Sequence, residues 1–243
     1  MNREIIEQLA PTGSLRAGIN MANFLLVTSR GQHGEPQGVA PDMANAIAKA
    51  LGVPLVLVPY ASPGELADAA NAGVWDIGLI GNEPARAEKI TFSAAYCEIE
   101  ATYLVPPGSK FQHASEVDQS GVRIAVMARS AYDLWLVRNI KHAQLVHGET
   151  FDSTFEIFAS QKLEAMASLR PGLLRDVEKM PGSKILNGQF TSVQQSVGTQ
   201  KNKPQAAGFL RQFVEDTKAS GMVAQWIEKH KVQGLSVAPP SKP

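Results

Sequence analysis

The chain alternates between short apolar runs and amphipathic segments for most of its length. Met43, Ile47 and Leu51 have the spacing of one helix face, so residues 41–51 predict a helix that Gly52 ends. The unbroken apolar run at residues 53–58 predicts a buried strand instead. By the same patterns, strands are predicted at residues 15–20, 75–80, 122–126, 144–146 and 163–167, and helices at 64–72, 153–160, 173–179, 204–219, 222–231 and from Ser130 onward.

This order of strands and helices predicts an α/β fold, with parallel strands joined by right-handed crossovers. The same rhythm occurs before and after residues 106–108, although no fixed-period repeat is present. The polar, Gly-rich segment at residues 29–38 predicts a loop. A chain of 243 residues that is 44% hydrophobic can form one large domain or two small ones around a real core.

Charge and hydropathy narrow the possible partners. The chain has 23 basic and 23 acidic residues, which are interspersed, so no nucleic-acid partner is expected. No apolar run approaches the ~20 residues that span a bilayer, so no membrane insertion is expected. The charged N-terminal residues do not predict a secretory signal. The compartment stays open: periplasmic if a leader was removed, cytoplasmic otherwise.

Residue types that carry catalytic or metal chemistry are sparse. Cys97 is the single cysteine, which excludes an internal disulfide, and its apolar surroundings predict a small buried side chain rather than a nucleophile. The five His residues do not have metal-ligand spacing, and phosphate-binding loops and nucleophile elbows are missing. The sequence therefore predicts no catalytic residue, no metal and no cofactor.

Four segments resemble one family, in the family's order. Residues 38–53 resemble its first helix, residues 76–81 the strand that delivers its binding loop, residues 86–96 its Arg-to-Phe-Ser signature, and residues 219–226 its terminal helix pair. From Leu15 to His230 the chain thus resembles the amino-acid-binding type of extracellular solute-binding protein, family 3.

The resemblance implies a two-lobed fold like that of periplasmic binding proteins, each lobe a sheet flanked by helices, with two hinge crossovers. Lobe one would comprise residues 1–102 and 193–243, and lobe two residues 103–192. The implied function is to capture a small carboxylate-bearing solute, amino-acid-like or an organic acid, in the cleft between lobes. The implied partner is the permease of an ABC transporter, and a monomer is expected.

Arg86 is the leading candidate for binding the ligand carboxylate. The resemblance matches it to the family's carboxylate-binding Arg, and a planar guanidinium can hold a carboxylate through two parallel hydrogen bonds. The alternative is an Arg on a surface helix that pairs with a nearby Glu. The preceding loop, which includes Gly81, Asn82 and Glu83, is shorter than in the family and lacks its usual hydroxyl residues.

Ser130 is the matching candidate in the second half of the chain. With Asp133 it predicts a capping box, and the start of a helix suits an anion. The alternative is a helix cap without ligand contact. Tyr132 either lines the cleft or packs in the core.

Asn20 ends the first predicted strand, where the family usually has an Asp. Strand ends of this kind point at the ligand crevice, so Asn20, Asn23 and Phe24 are candidates for ligand contact. The alternative for Asn20 is a turn in which it caps its own backbone. Gln194, beside the second crossover, is a further candidate.

The family's acidic residue for a ligand ammonium group is missing. Ser168, Leu169 and Arg170 stand in its place, and Arg170 either points into the cleft or lies in a surface loop. A buried ammonium without a carboxylate is costly, so we expect a ligand without a free α-ammonium, or one with two acidic groups. Glu83 could replace the missing acid.

Two alternative functions stay open. One is a ligand-sensing domain on the same scaffold. The other is an enzyme resembling cyclohexadienyl dehydratases, for which Glu83 would be the candidate general acid.

Overall fold

The structure is a computed structural model and describes residues 2–241. Its contacts divide the chain into two compact units: unit 1 runs to Glu98 and resumes at Gln194, and unit 2 is Ile99–Val193. The lobe boundaries predicted from the sequence fall after residues 102 and 192, so they differ from these by four residues at the first crossover and by one at the second. That the units act as the two lobes stays a prediction.

The helices and strands follow in chain order. The helices are α1 (Arg3–Leu9), α2 (Val39–Leu51), α3 (Pro63–Asp68), α4 (Pro84–Ala87), α5 (Ala131–Asn139), α6 (Phe151–Ser160), α7 (Arg170–Lys179), α8 (Pro204–Ala219) and α9 (Met222–Lys229). The strands are β1 (Leu15–Asn20), β2 (Ser29–Arg30), β3 (Pro36–Gln37), β4 (Leu55–Tyr60), β5 (Ile77–Gly81), β6 (Ile90–Val105), β7 (Arg123–Met127), β8 (Gln144–Gly148), β9 (Ala165–Leu169), β10 (Lys184–Ile185), β11 (Thr191–Gln200) and β12 (Ser236–Val237).

Unit 1 is built on the strand order β4-β1-β5-β11. The first three strands are parallel, and β11 is antiparallel to β5. Trp75, Leu66 and Ile80 are buried in the core on one side of this sheet. The fully buried Met43 and Ile47 come from α2, whose end at Gly52 in the left-handed conformation agrees with the sequence prediction.

Unit 2 repeats that arrangement with other strands. Its order is β8-β7-β9-β6, in which β7 is parallel to β8 and β9, and β6 is antiparallel to β9. Leu104, Phe158, Met166 and Leu173 form its buried core. The prediction of an α/β fold is confirmed, while the sheets are mixed because the last strand of each order runs antiparallel.

Several local predictions need correction. The predicted buried strand at residues 53–58 is the edge strand β4, where Val56 is 45% exposed because β1 is its only neighbour in the described sheet. The predicted loop at residues 29–38 contains the short antiparallel pair of β2 and β3. The apolar pattern does not predict the long strands β6 and β11, because both mix polar and apolar residues without strict alternation; only the resemblance implied crossovers at these places.

Among the described residues, no helix combines the length and the apolar character that a bilayer crossing requires.

Candidate functional site

The parallel strands of unit 1 end together at one edge of its sheet. Asn20 at the end of β1 is opposite Tyr60 at the end of β4, and Gly81 ends the neighbouring β5. The carboxyl ends of parallel strands are where open α/β sheets bind ligands. The edge thus brings together Asn20 and Gly81, both predicted from the sequence, and adds Tyr60, which no sequence pattern indicated.

Arg86 lies in the short helix α4, just beyond this edge. Pro84 starts the helix with a fixed φ angle, and the turn brings Arg86 back so that its Nη1 donates to the Gly81 carbonyl at 2.8 Å. Arg86 is only 5% exposed, so it is not the surface residue of the alternative interpretation. Glu83, at the N-cap of α4, is also buried, and the Asn82 amide donates to the Gln194 carbonyl at 2.8 Å.

Asn20, the last residue of β1, and Asn23, which follows it, both accept hydrogen bonds from nearby backbone amides. The Asn20 side chain accepts from the Ala22 amide at 3.1 Å, and the buried Asn23 accepts from the Leu25 amide at 3.2 Å. The Asn20 bond is the self-capping turn of the alternative interpretation, and Asn23 makes a turn of the same kind. Phe24 is half-buried in the same turn. Ligand contact by these residues stays a prediction.

Gln194 opens the part of β11 that belongs to unit 1. Its Nε2 donates to Glu98 Oε2 at 2.9 Å, and its carbonyl anchors Asn82. The side chain therefore ties β11 to β6 within unit 1.

The matching edge of unit 2 leads into α5. Ser130 is the N-cap: its Oγ accepts from the Asp133 amide at 3.1 Å. The other half of the expected capping box is shifted, because Asp133 Oδ2 accepts from the Arg129 amide at 2.7 Å rather than from Ser130. Asp133 Oδ1 also lies 2.8 Å from His147 Nε2, at the end of β8.

Two donors remain at the start of α5. The Ala128 and Ser130 amides donate to the carbonyls of Gly148 and Met127, whereas the amides of Ala131 and Tyr132 have no protein acceptor in the described part of the chain. These amides lie at the positive end of a nine-residue helix, where an anion is stabilised.

Tyr132 carries a buried hydroxyl close to the side chains of Ser130 and Ser168. The residue is 3% exposed, and its hydroxyl has no hydrogen bond of good geometry to the described residues. Burial raises the pKa of Tyr132 to about 12, and the hydroxyls of Ser168 and Ser130 offset this only in part.

Arg170 is the first residue of α7, and its charge is compensated within unit 2. Its Nε donates to Glu100 Oε2 at 2.6 Å, and its Nη2 donates to the Gly188 carbonyl at 2.6 Å. Leu169 is the N-cap of α7 and provides no side-chain cap. Arg170 thus starts a helix rather than lying in the surface loop of the alternative interpretation.

Among residues 2–241, no three His, Cys, Asp or Glu side chains are grouped so that they could hold a metal ion. Cys97 is fully buried, and burial raises the pKa of its thiol well above the ordinary value.

The sequence profile of bacterial extracellular solute-binding proteins, family 3, matches residues 15–233. The chain belongs to this family. The resemblance seen in the sequence is therefore confirmed over nearly the whole chain, and the expected two-lobed fold class is confirmed by the solved structures described next. No curated protein sequence matches the chain.

Solved structures of similar fold cover almost all of this chain. A mutant of ArgBP from T. maritima has a TM-score of 0.74 at 21% identity, over 94% of this chain and 100% of that one. The amino acid ABC transporter substrate-binding protein AbpA from Streptococcus pneumoniae, bound to L-arginine, has a TM-score of 0.73 at 20% identity, over 94% and 100%. The ancestral amino acid-binding protein AncCDT-1, a precursor of cyclohexadienyl dehydratase, has a TM-score of 0.73 at 21% identity, over 92% and 97%.

Proposed function

We propose that this protein binds a small carboxylate-bearing solute and delivers it to the permease of an ABC transporter, as a monomer and without chemistry on the ligand. Its family and its structural neighbours are mostly binding proteins, among them amino acid ABC transporter substrate-binding proteins. Units 1 and 2 correspond in this proposal to the two lobes of the family.

The observation that carries the proposal is the pair of unused amides at Ala131 and Tyr132. The first amides of a helix have no acceptor within it, and where they are buried, as at Ala131 and Tyr132, an anion is a favourable acceptor. The Ser130 hydroxyl, which accepts from Asp133, still has a proton to donate to the same anion. Arg86 is the proposed carboxylate ligand in unit 1.

The charges favour a ligand with one carboxylate over a dicarboxylate. Arg170 is paired with Glu100, so it does not provide an uncompensated second cation for another acidic group. The position after β9 has no acid to hold an α-ammonium group, which favours an organic acid over a simple amino acid.

A panel of ligands tests this function. Amino acids (L-arginine included), monocarboxylic acids, dicarboxylic acids and, as carboxylate-free compounds, the matching amines and alcohols are each added at a fixed concentration, and the shift of the unfolding temperature is measured. A true ligand stabilises by RT ln(1 + [L]/Kd), about 2.7 kcal/mol at a hundred times Kd. The proposal fails if no carboxylate stabilises the protein while a carboxylate-free compound does. Conversion of a bound ligand, followed by NMR of the small molecule, would instead favour the dehydratase-like enzyme.

A further inference from the structure

The turn between β7 and α5 contains a residue in an unusual backbone conformation. Arg129 has a φ angle of 60°, in the left-handed region that residues with a Cβ rarely adopt. Such a conformation persists only where surrounding contacts hold it, and it often occurs at binding sites. The contacts of Arg129 therefore identify what holds the turn.

Asp133 supplies the contact on the Arg129 backbone. It is 4% exposed, and its Oδ2 accepts from the Arg129 amide at 2.7 Å. Its own amide donates to Ser130 Oγ at 3.1 Å. Asp133 thus holds both Arg129 and Ser130, from four and three positions further along the chain respectively.

His147 fixes the carboxylate of Asp133 from the neighbouring strand. Its Nε2 lies 2.8 Å from Asp133 Oδ1, and because a carboxylate only accepts, Nε2 carries the proton. His147 is opposite Val126 of β7, so the sheet itself sets its position. Both oxygens of Asp133 are engaged, which leaves its side chain one orientation.

We infer that Asp133 is a positioning residue of the unit 2 binding site: it holds Arg129 in the left-handed conformation and thereby presents Ser130 and the amides of Ala131 and Tyr132 to a carboxylate. The inference rests on the proposed function for the identity of the ligand. The coupling of Asp133 to Arg129 holds in the absence of any ligand.

A double-mutant cycle separates this role from plain structural support. Gly adopts a positive φ angle without cost, so Arg129→Gly removes the need for the holding contact. Asp133→Ala is made in the native protein and in the Arg129→Gly protein, and any loss of other Arg129 contacts is common to both Gly variants. Asp133→Asn keeps an acceptor for the Arg129 amide and serves as the conservative variant.

Two NMR measurements are made on each full-length variant. Amide hydrogen exchange at residues 129–132 is measured without ligand, and acetate is titrated against the amide resonances of Ala131 and Tyr132, with sodium chloride at equal ionic strength as the control. Asp133→Ala should speed exchange at Arg129 by about tenfold or more, since it removes that amide's acceptor. It should also weaken acetate binding severalfold in the native background. Asp133→Asn should stay close to the native protein in both measurements.

In the Arg129→Gly background, adding Asp133→Ala should change acetate affinity by no more than about twofold, because coupled residues show non-additive effects. An equal loss in both backgrounds overturns the inference, because Asp133 would then act independently of Arg129. Unchanged exchange at Arg129 in Asp133→Ala overturns it as well. If acetate does not shift the amide resonance of Ala131 or of Tyr132 in the native protein, the proposed function is contradicted at this site. The rate of amide hydrogen exchange at Arg129 then decides by itself whether Asp133 holds the turn.

Discussion

Arg86 is a cation that is almost completely removed from water, in a helix of only four residues. A guanidinium in such a position needs acceptors, and the Gly81 carbonyl is one of those that Arg86 has. A carboxylate is the acceptor that matches the planar group best, since it accepts two parallel bonds. Arg86 is therefore the side chain on which ligand affinity should depend most.

We predict that Arg86→Ala weakens ligand affinity by more than tenfold. Truncating one partner of a buried, hydrogen-bonded charge pair costs about 2–5 kcal/mol of binding free energy. The measurement is calorimetry with the best ligand of the panel, at a temperature where the variant is folded. Arg211→Ala, at an exposed position of α8, is the matched control and should bind normally. Equal affinity in all three proteins would mean that Arg86 does not contact the ligand.

The two units share one side-chain arrangement between neighbouring parallel strands. Arg16 donates from its backbone amide, Nε and Nη2 to Asp76, at 3.0, 2.9 and 2.9 Å. Arg123 donates from the same three groups to Glu164, at 2.8, 2.9 and 2.8 Å. Each Arg is near the start of the central strand and each acid directly precedes the next parallel strand, so each pair fixes the register of its sheet.

Burial should make the Asp76 pair the more important of the two. The Asp76 side chain is 0% exposed and that of Glu164 is 36% exposed. Asp76→Asn should lower the free energy of unfolding by about 3 kcal/mol, whereas Glu164→Gln should cost about 1 kcal/mol or less. Urea unfolding of both variants checks this. A larger cost for Glu164→Gln would show that burial does not control the energy of these pairs.

The Glu164 pair should also be sensitive to acid. The hydrogen bond from Arg123 lowers the pKa of Glu164, so its folded-state pKa lies below the unfolded value of about 4.3. The pair therefore stabilises fully above that value, and the contribution is lost as pH falls through the folded-state pKa. The difference in unfolding free energy between the native protein and Glu164→Gln should be constant above about pH 5.5 and shrink in more acidic solution. A difference that does not vary with pH would contradict this.

Local patterns predict the elements that are amphipathic by themselves, such as α2 and α8, whose ends lie within two residues of the prediction. They fail for β11, because its buried polar side chains have distant partners. Thr199 donates to the Asp76 carbonyl and Gln200 to that of Trp75, more than 120 residues away. Arg86 and Ser130 were singled out through the family resemblance. The contact between Asp133 and His147 could not be predicted from the sequence, because it depends on the register of β8 against β7.

At the scale of the whole molecule, the two units differ in how the chain supplies them. Unit 2 is one continuous stretch, whereas unit 1 combines the two ends of the described chain. The Ala206 amide at the start of α8 donates to Gln8 of α1, and Lys229 and His230 contact Asp42 of α2. Unit 1 is therefore incomplete until segments far apart in the chain have met.

This connectivity sets an order of assembly. Closing a long loop costs more entropy than closing a short one, so the continuous unit should reach its native packing first. During synthesis on the ribosome, residues 99–193 should fold before unit 1 is complete. The segment up to Glu98 can reach its native packing only after the segment from Gln194 onward has been made. In refolding with pulsed hydrogen exchange, amides of β7 and β9 should gain protection before those of β1 and β5. The reverse order would contradict this prediction, because the discontinuous unit would then form before the continuous one.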